Sequence, residues 1–167
     1  MSKYENQDRR GKIEADVVRL LARKEKTLAL AESCTGGFIA HQITNVSGAS
    51  EIFLGGIVAY SNGVKEKFLG VRPETLKKHG AVSEAVAREM ASGARKKFGA
   101  DFAIAVTGIA GPTGGTEKPP VGTVFIALAC DFETVVVRKL NCFGREKFKT
   151  VTARQALELL LSRFTQM

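Results

Sequence analysis

Two uninterrupted apolar runs of strand length, Thr27–Ala31 and Phe102–Val106, each lead directly into small polar residues and glycines. Runs this short and this apolar suit strands buried on both faces. Between them lie segments of helical period. The clearest is Ser83–Phe98, where Val86, Met90, Ala94 and Phe98 share one face. Ser83 stands at its N-cap, Lys96 and Lys97 in its last turn and Gly99 at its C-cap. Arg10–Lys24 and Arg145–Phe164 read as amphipathic helices that open and close the fold. Thr35–Asn45 reads as a helix starting at the glycine pair Gly36-Gly37.

Ile52–Tyr60 reads as a further strand with a bulge at Gly55-Gly56, and Ser61-Asn62 as the cap of a short helix holding Lys65. Pro73 and Gly80 bracket another helix. Val121–Ala129 and Thr134–Leu140 form a hairpin around Asp131-Phe132-Glu133. Helices and strands alternate, then a hairpin follows. That order predicts one three-layer α/β/α domain with a mixed sheet, residues 10–167, after a polar leader over residues 1–9. A length of 167 residues fits one such core.

The formal charge of +8 admits nucleic acid, an anionic surface or a phosphorylated small molecule as partners. The basic residues are scattered, and several, such as Arg95-Lys96-Lys97, fall at expected helix C-termini. No aromatics interleave with them as a single-strand binder requires. A nucleic-acid footprint is therefore disfavoured. No apolar run approaches the roughly 20 residues of a membrane span, and Met1–Lys12 has no apolar signal core, so the cytoplasm is the expected location. Three cysteines, Cys34, Cys130 and Cys142, and two histidines offer no metal-ligand spacing, so neither metal nor cofactor is expected.

Three segments break the rules of regular structure at strand ends, where open α/β sheets gather ligands. In Ser33-Cys34-Thr35-Gly36-Gly37, a hydroxyl stands where a strand gives way to a helix. Free N–H groups there suit a phosphate or an oxyanion, but a plain helix cap fits the same residues equally well. Glu32 either orients other groups or faces solvent. In Tyr60–Lys65, the lysine is surface charge or the general base of a serine hydrolase that uses no histidine. Tyr60 is a half-buried sheet aromatic or a proton relay. In Thr107–Gly115, a glycine-rich loop follows a buried strand without P-loop or dinucleotide spacing, and its backbone can wrap an anion.

These segments, with Leu69-Gly70-Val71, His79-Gly80-Ala81-Val82-Ser83, Thr107-Gly108-Ile109-Ala110-Gly111-Pro112 and Pro120-Val121-Gly122-Thr123-Val124, resemble the carboxy-terminal domain family of CinA. That family includes stand-alone nicotinamide-nucleotide amidohydrolases. The resemblance runs from about Asp16 to Phe164 and lacks the amino-terminal molybdopterin-binding-like domain of longer CinA proteins. It implies hydrolysis of the carboxamide of nicotinamide mononucleotide to nicotinate mononucleotide and ammonia, in pyridine-nucleotide recycling, without a metal. It further implies Ser33 as nucleophile, Lys65 as general base and Tyr60 as an assisting hydroxyl. Thr35, Gly36, Gly37, Thr107, Gly108 and Gly111 are implied to hold the oxyanion and the phosphate, the division between the two loops staying open. Arg145 is a further substrate contact.

The chain departs from the family before its last helix. The usual Gly-Asp-Arg is replaced by Phe143-Gly144-Arg145-Glu146, and a later arginine is Lys149. Two other classes stand beside the amidase: a non-catalytic nucleotide-binding module of the same fold, and a DNA-associated protein of the competence or damage type. A homo-oligomer is expected.

Overall fold

In the computed structural model, residues 13–165 are described, so the leader and the first residues of the opening helix lie outside them. Helix α1 (Ile13–Arg23) precedes β1 (Leu28–Glu32), α2 (Phe38–Thr44), α3 (Ala49–Ile52) and β2 (Phe53–Val58). Helices α4 (Asn62–Leu69), α5 (Pro73–His79) and α6 (Glu84–Phe98) lead to β3 (Phe102–Gly108). The hairpin β4 (Thr123–Ala129) and β5 (Thr134–Leu140) and helix α7 (Arg145–Thr165) follow.

The five strands form one sheet in the order β2-β1-β3-β4-β5. Strand β1 runs parallel to both β2 and β3, whereas β4 and β5 join antiparallel. The sheet is mixed, as the order of elements predicts. Strand β1 is buried along its whole length, with Leu28 and Leu30 facing one layer and Ala29 and Ala31 the other. The first layer holds α1, α2, α3 and α7, packed through Val17, Leu21, Ile39, Ile52, Phe148 and Leu157. The second holds α4, α5 and α6, packed through Leu69, Leu76, Val86, Met90 and Ala94.

From β1 the chain crosses on the first layer to β2, then returns on the second layer to β3, on the other side of β1. The sheet therefore has a topological switch point between the carboxyl ends of β1 and β3. Crevices at such points are where α/β sheets bind ligands.

Local chemistry moves several boundaries from those the sequence predicts. Helix α2 starts at Phe38 rather than Thr35, because Gly36 and Gly37 hold φ of +63° and +94°, outside the helical region. The bulge in β2 falls at Leu54, between the pairs Leu28–Phe53 and Ala29–Gly55, rather than at the glycine pair. Helix α3 has no counterpart in the predicted elements. Strand β4 begins at Thr123 because Pro120 to Thr123 close a turn, with Thr123 N–H donating to the Pro120 carbonyl at 3.1 Å. The caps of α4 and α6 are as expected: Ser61 accepts from Val64 N–H and Ser83 from Val86 N–H, each at 3.3 Å.

Helices α4 and α6 approach so closely that a Cβ on Gly93 would lie 1.8 Å from the Leu69 carbonyl oxygen. Glycine inside a helix costs about 1 kcal/mol against alanine. Here the contact between the two helices requires it, and that contact sets α4, and with it Lys65, against the sheet.

Candidate active site

A cleft of about 250 Å³ opens at the switch point. Its lining draws Ser33 and Cys34 from the end of β1, Tyr60, Asn62 and Lys65 from the segment after β2, and Ala81 and Val82 from the loop before α6. The end of β3 and its loop add Thr107, Gly108, Ile109, Ala110, Gly111, Thr113 and Gly114, and α7 adds Arg145. Of the residues singled out in the sequence, Ser33, Tyr60, Lys65, Thr107, Gly108, Gly111 and Arg145 therefore share one cleft, and Thr35, Gly36 and Gly37 are not part of its lining.

The amides of that glycine turn are already committed. Glu32 is buried, and its carboxylate accepts Gly37 N–H at 3.1 Å, Ile39 N–H at 3.1 Å and Ala40 N–H at 2.8 Å. Gly36 N–H donates to the Ser33 carbonyl at 3.1 Å. The first turn of α2 thus has its anion built in, and it does not present free N–H groups to a ligand. Thr35 is fully buried with its hydroxyl unpaired. Lys149 lies over the turn, its ammonium 3.6 Å from where a Gly36 Cβ would stand.

Lys65 is only 1% exposed although it sits on a helix of the outer layer. Its Nζ donates to the Ala59 carbonyl at 2.8 Å and to the Tyr60 carbonyl at 3.4 Å. Among the described residues no carboxylate forms an ion pair with it. Burial pushes its pKa below the ordinary 10.5, a shift that only an ionised Cys34 would oppose. Cys34 is itself pushed up to about 12, first by burial, so it remains a neutral thiol beside the lysine.

Tyr60 stands beyond the end of β2 and is 63% exposed, at the mouth of the cleft rather than half-buried in the sheet. Its hydroxyl faces Arg145 Nη1 at 3.5 Å, the long limit of a hydrogen bond. Thr107 is buried, and its hydroxyl donates to the Ala81 carbonyl at 2.8 Å, which ties the loop before α6 to the cleft floor and leaves Thr107 only acceptor capacity toward a ligand. In the glycine-rich loop, Ile109 N–H is spent on the Thr123 carbonyl at 2.9 Å. The amides of Ala110 and Gly111 make no hydrogen bond within the described protein, and both residues line the cleft.

Sequence reasoning did not assign Cys34, Asn62, Ala81 or Val82 to the cleft. The Gly80-Ala81-Val82-Ser83 segment carried a signal: a glycine ending one helix three residues before the cap of the next makes a tight, fixed corner. Its place beside Thr107 depends on tertiary packing. Among the described residues no group of three or more His, Cys, Asp or Glu side chains could hold a metal ion. Cys34, Cys130 and Cys142 are all free thiols. No described helix is long and apolar enough to cross a membrane.

The CinA C-terminal domain family model matches residues 10–164. The chain belongs to the CinA C-terminal domain family. Within it, the chain is 52% identical to the CinA-like protein of Thermotoga maritima over 149 residues, which are 89% of this chain and 36% of that protein. A CinA-like protein of Kosmotoga olearia is 50% identical with the same coverage of both chains. The chain thus spans about a third of the length of these relatives. The CinA fold extends to solved structures. The competence damage-inducible protein A of Klebsiella pneumoniae is 38% identical with a TM-score of 0.89, over 92% of this chain and 95% of that one. The competence/damage inducible protein CihA of Agrobacterium tumefaciens is 37% identical with a TM-score of 0.85, over 91% of this chain and 96% of that one.

Proposed function

We propose that this CinA C-terminal domain hydrolyses the carboxamide of nicotinamide mononucleotide, giving nicotinate mononucleotide and ammonia by a Ser/Lys mechanism. The observation that carries the reading is the setting of Lys65. A neutral lysine has two N–H bonds and one lone pair. Carbonyls of Ala59 and Tyr60 engage both N–H bonds, which leaves the lone pair as the free valence in the cleft that Ser33 also lines. Burial favours that neutral form. In this reading Lys65 acts as the general base, a role its burial and lowered pKa support.

In this mechanism the Ser33 oxygen attacks the carboxamide carbon while Lys65 takes its proton. The tetrahedral oxyanion is met by backbone N–H groups, for which the amides of Ala110 and Gly111, uncommitted and on residues that line the cleft, are our candidates. The turn at Thr35–Gly37 has spent the amides of Gly36 and Gly37 internally. One such donor contributes about 3 kcal/mol to an acyl-transfer transition state. Lys65 passes the proton to the amide nitrogen, the C–N bond breaks and ammonia leaves. Water then attacks the Ser33 ester, Lys65 takes its proton and returns it to the serine oxygen, and the carboxylate product departs. Arg145 at the mouth supplies positive charge for the phosphate, and the Tyr60 hydroxyl beside it orients the same end of the substrate.

Incubation of the purified chain with nicotinamide mononucleotide tests this directly. The expected products, in equal amounts, are ammonia and nicotinate mononucleotide. Saturable binding of the nucleotide without either product would instead mark a binding module. The resident location follows the substrate, and we place the reaction in the cytoplasm.

A further inference from the structure

Glu32 carries no charge partner among the described residues, yet it is 2% exposed and both of its carboxylate oxygens accept backbone hydrogen bonds. Oε2 accepts from Gly37 and Ile39, and Oε1 from Ala40, so one side chain satisfies three of the N–H groups that open α2. An ionised acceptor makes such bonds about twice as strong as a neutral one. We propose that Glu32 is the positioning residue of the site, holding the Ser33–Gly37 turn in the one geometry that aims Ser33 at the cleft. This rests on the reading of Ser33 as nucleophile.

The turn needs such a lock. Gly36 and Gly37 both occupy the left-handed region, and glycine pairs interchange conformations at little cost. At its entry the turn is fixed by Ser33 N–H donating to the Val106 carbonyl at 3.0 Å, an extension of the β1–β3 ladder. At its exit the three bonds to the Glu32 side chain add to two backbone bonds, Gly36 N–H to the Ser33 carbonyl at 3.1 Å and Phe38 N–H to the Thr35 carbonyl at 3.3 Å. The same residue also reaches the base: its carbonyl accepts Ala59 N–H at 2.7 Å, and the Ala59 carbonyl accepts Lys65 Nζ at 2.8 Å. Glu32 therefore spans the nucleophile by its side chain and the base by its main chain. Only the side-chain half is open to substitution.

Glu32→Gln keeps the size but sets an amide N–H₂ against backbone donors, so at least one of the three bonds must be lost. Glu32→Asp keeps the charge and withdraws it by one methylene. The expected result for Glu32→Gln is faster hydrogen exchange confined to Gly37, Ile39 and Ala40, with α6 and β3 as protected as in the wild type. The kcat for ammonia release falls roughly 100-fold, the order expected for a misplaced reacting group, with KM unchanged. Glu32→Asp falls between, and it carries the test if Glu32→Gln does not fold. A wild-type kcat with the turn loosened overturns the proposal. So does activity lost in step with general exchange across α6 and β3, which marks loss of fold rather than of position. A wild-type chain that releases no ammonia removes the amidase reading instead. The turn is then judged by exchange alone, and unchanged exchange in Glu32→Gln overturns the lock as well.

Discussion

Lys65 Nζ stands 2.8 Å from the carbonyl oxygen of Ala59, at the end of a side chain that is almost wholly buried. The contact turns a residue of a surface helix into part of the cleft floor. It depends on the close crossing of α4 and α6 and on the end of β2, so it joins the second helical layer to the sheet at the switch point.

Removing this amine tests its role as base. Lys65→Met is expected to lower kcat by about 10²–10⁴-fold, the usual contribution of a general base. The wild-type rate should rise with pH as the amine loses its proton, at a pH below the ordinary lysine value of 10.5. Stability carries the same signature. Between the lowered folded pKa and 10.5 the unfolded chain binds the proton more tightly, so stability rises with pH across that window. Thermal unfolding of wild type and Lys65→Met against pH should show wild type gaining on the variant as pH increases. A flat difference would contradict a buried amine with a depressed pKa.

Arg145 faces the Tyr60 hydroxyl at the open end of the cleft. Arg145→Ala should raise KM for the mononucleotide about tenfold, the equivalent of one charge-assisted contact of about 1.5 kcal/mol. The kcat should hold. Steady-state kinetics separate the two, and a loss in kcat alone would remove Arg145 from substrate binding.

Gly93 is a test of packing with no catalytic content. Gly93→Ala drives a methyl into the Leu69 carbonyl and should destabilise the fold by about 3 kcal/mol, as overpacked sites do. Denaturant unfolding measures it. The variant should also lose activity, because the displaced helix carries Lys65.

The opposite end of the sheet offers a control. Asp101 accepts Lys26 Nζ at 2.9 Å, Thr27 N–H at 2.9 Å and the Thr27 hydroxyl at 2.8 Å, tying β1 to β3 at their starts. Burial alone would raise its pKa, but these donors outweigh it and hold the carboxyl below the ordinary 3.8. Its stabilisation is present above that value and is lost as pH falls through the lowered pKa. Asp101→Asn should cost about 1 kcal/mol near neutral pH. The acid side of the thermal-stability curve should flatten, with ammonia release unchanged.

What the sequence made legible followed from local chemistry. The apolar runs before Ser33 and Thr107, the serine caps of α4 and α6 and the glycine after Phe98 each identify an element by residues close together in the chain. The mixed sheet follows from their order. Glu32 was ambiguous because its partners, Gly37, Ile39 and Ala40, depend on two glycines holding positive φ. That geometry also shifted the start of α2 and withdrew Thr35–Gly37 from the cleft lining. The burial of Lys65 was illegible for another reason. Nothing in Asn62–Leu69 shows that Gly93, about thirty residues on, admits a close helix crossing.

Ammonia release from nicotinamide mononucleotide by wild type and by Ser33→Ala, both confirmed as folded, tests the central claim most directly. The account predicts release by wild type and a rate for Ser33→Ala that matches a control without protein. Equal release from the two proteins, or none from wild type, would contradict it.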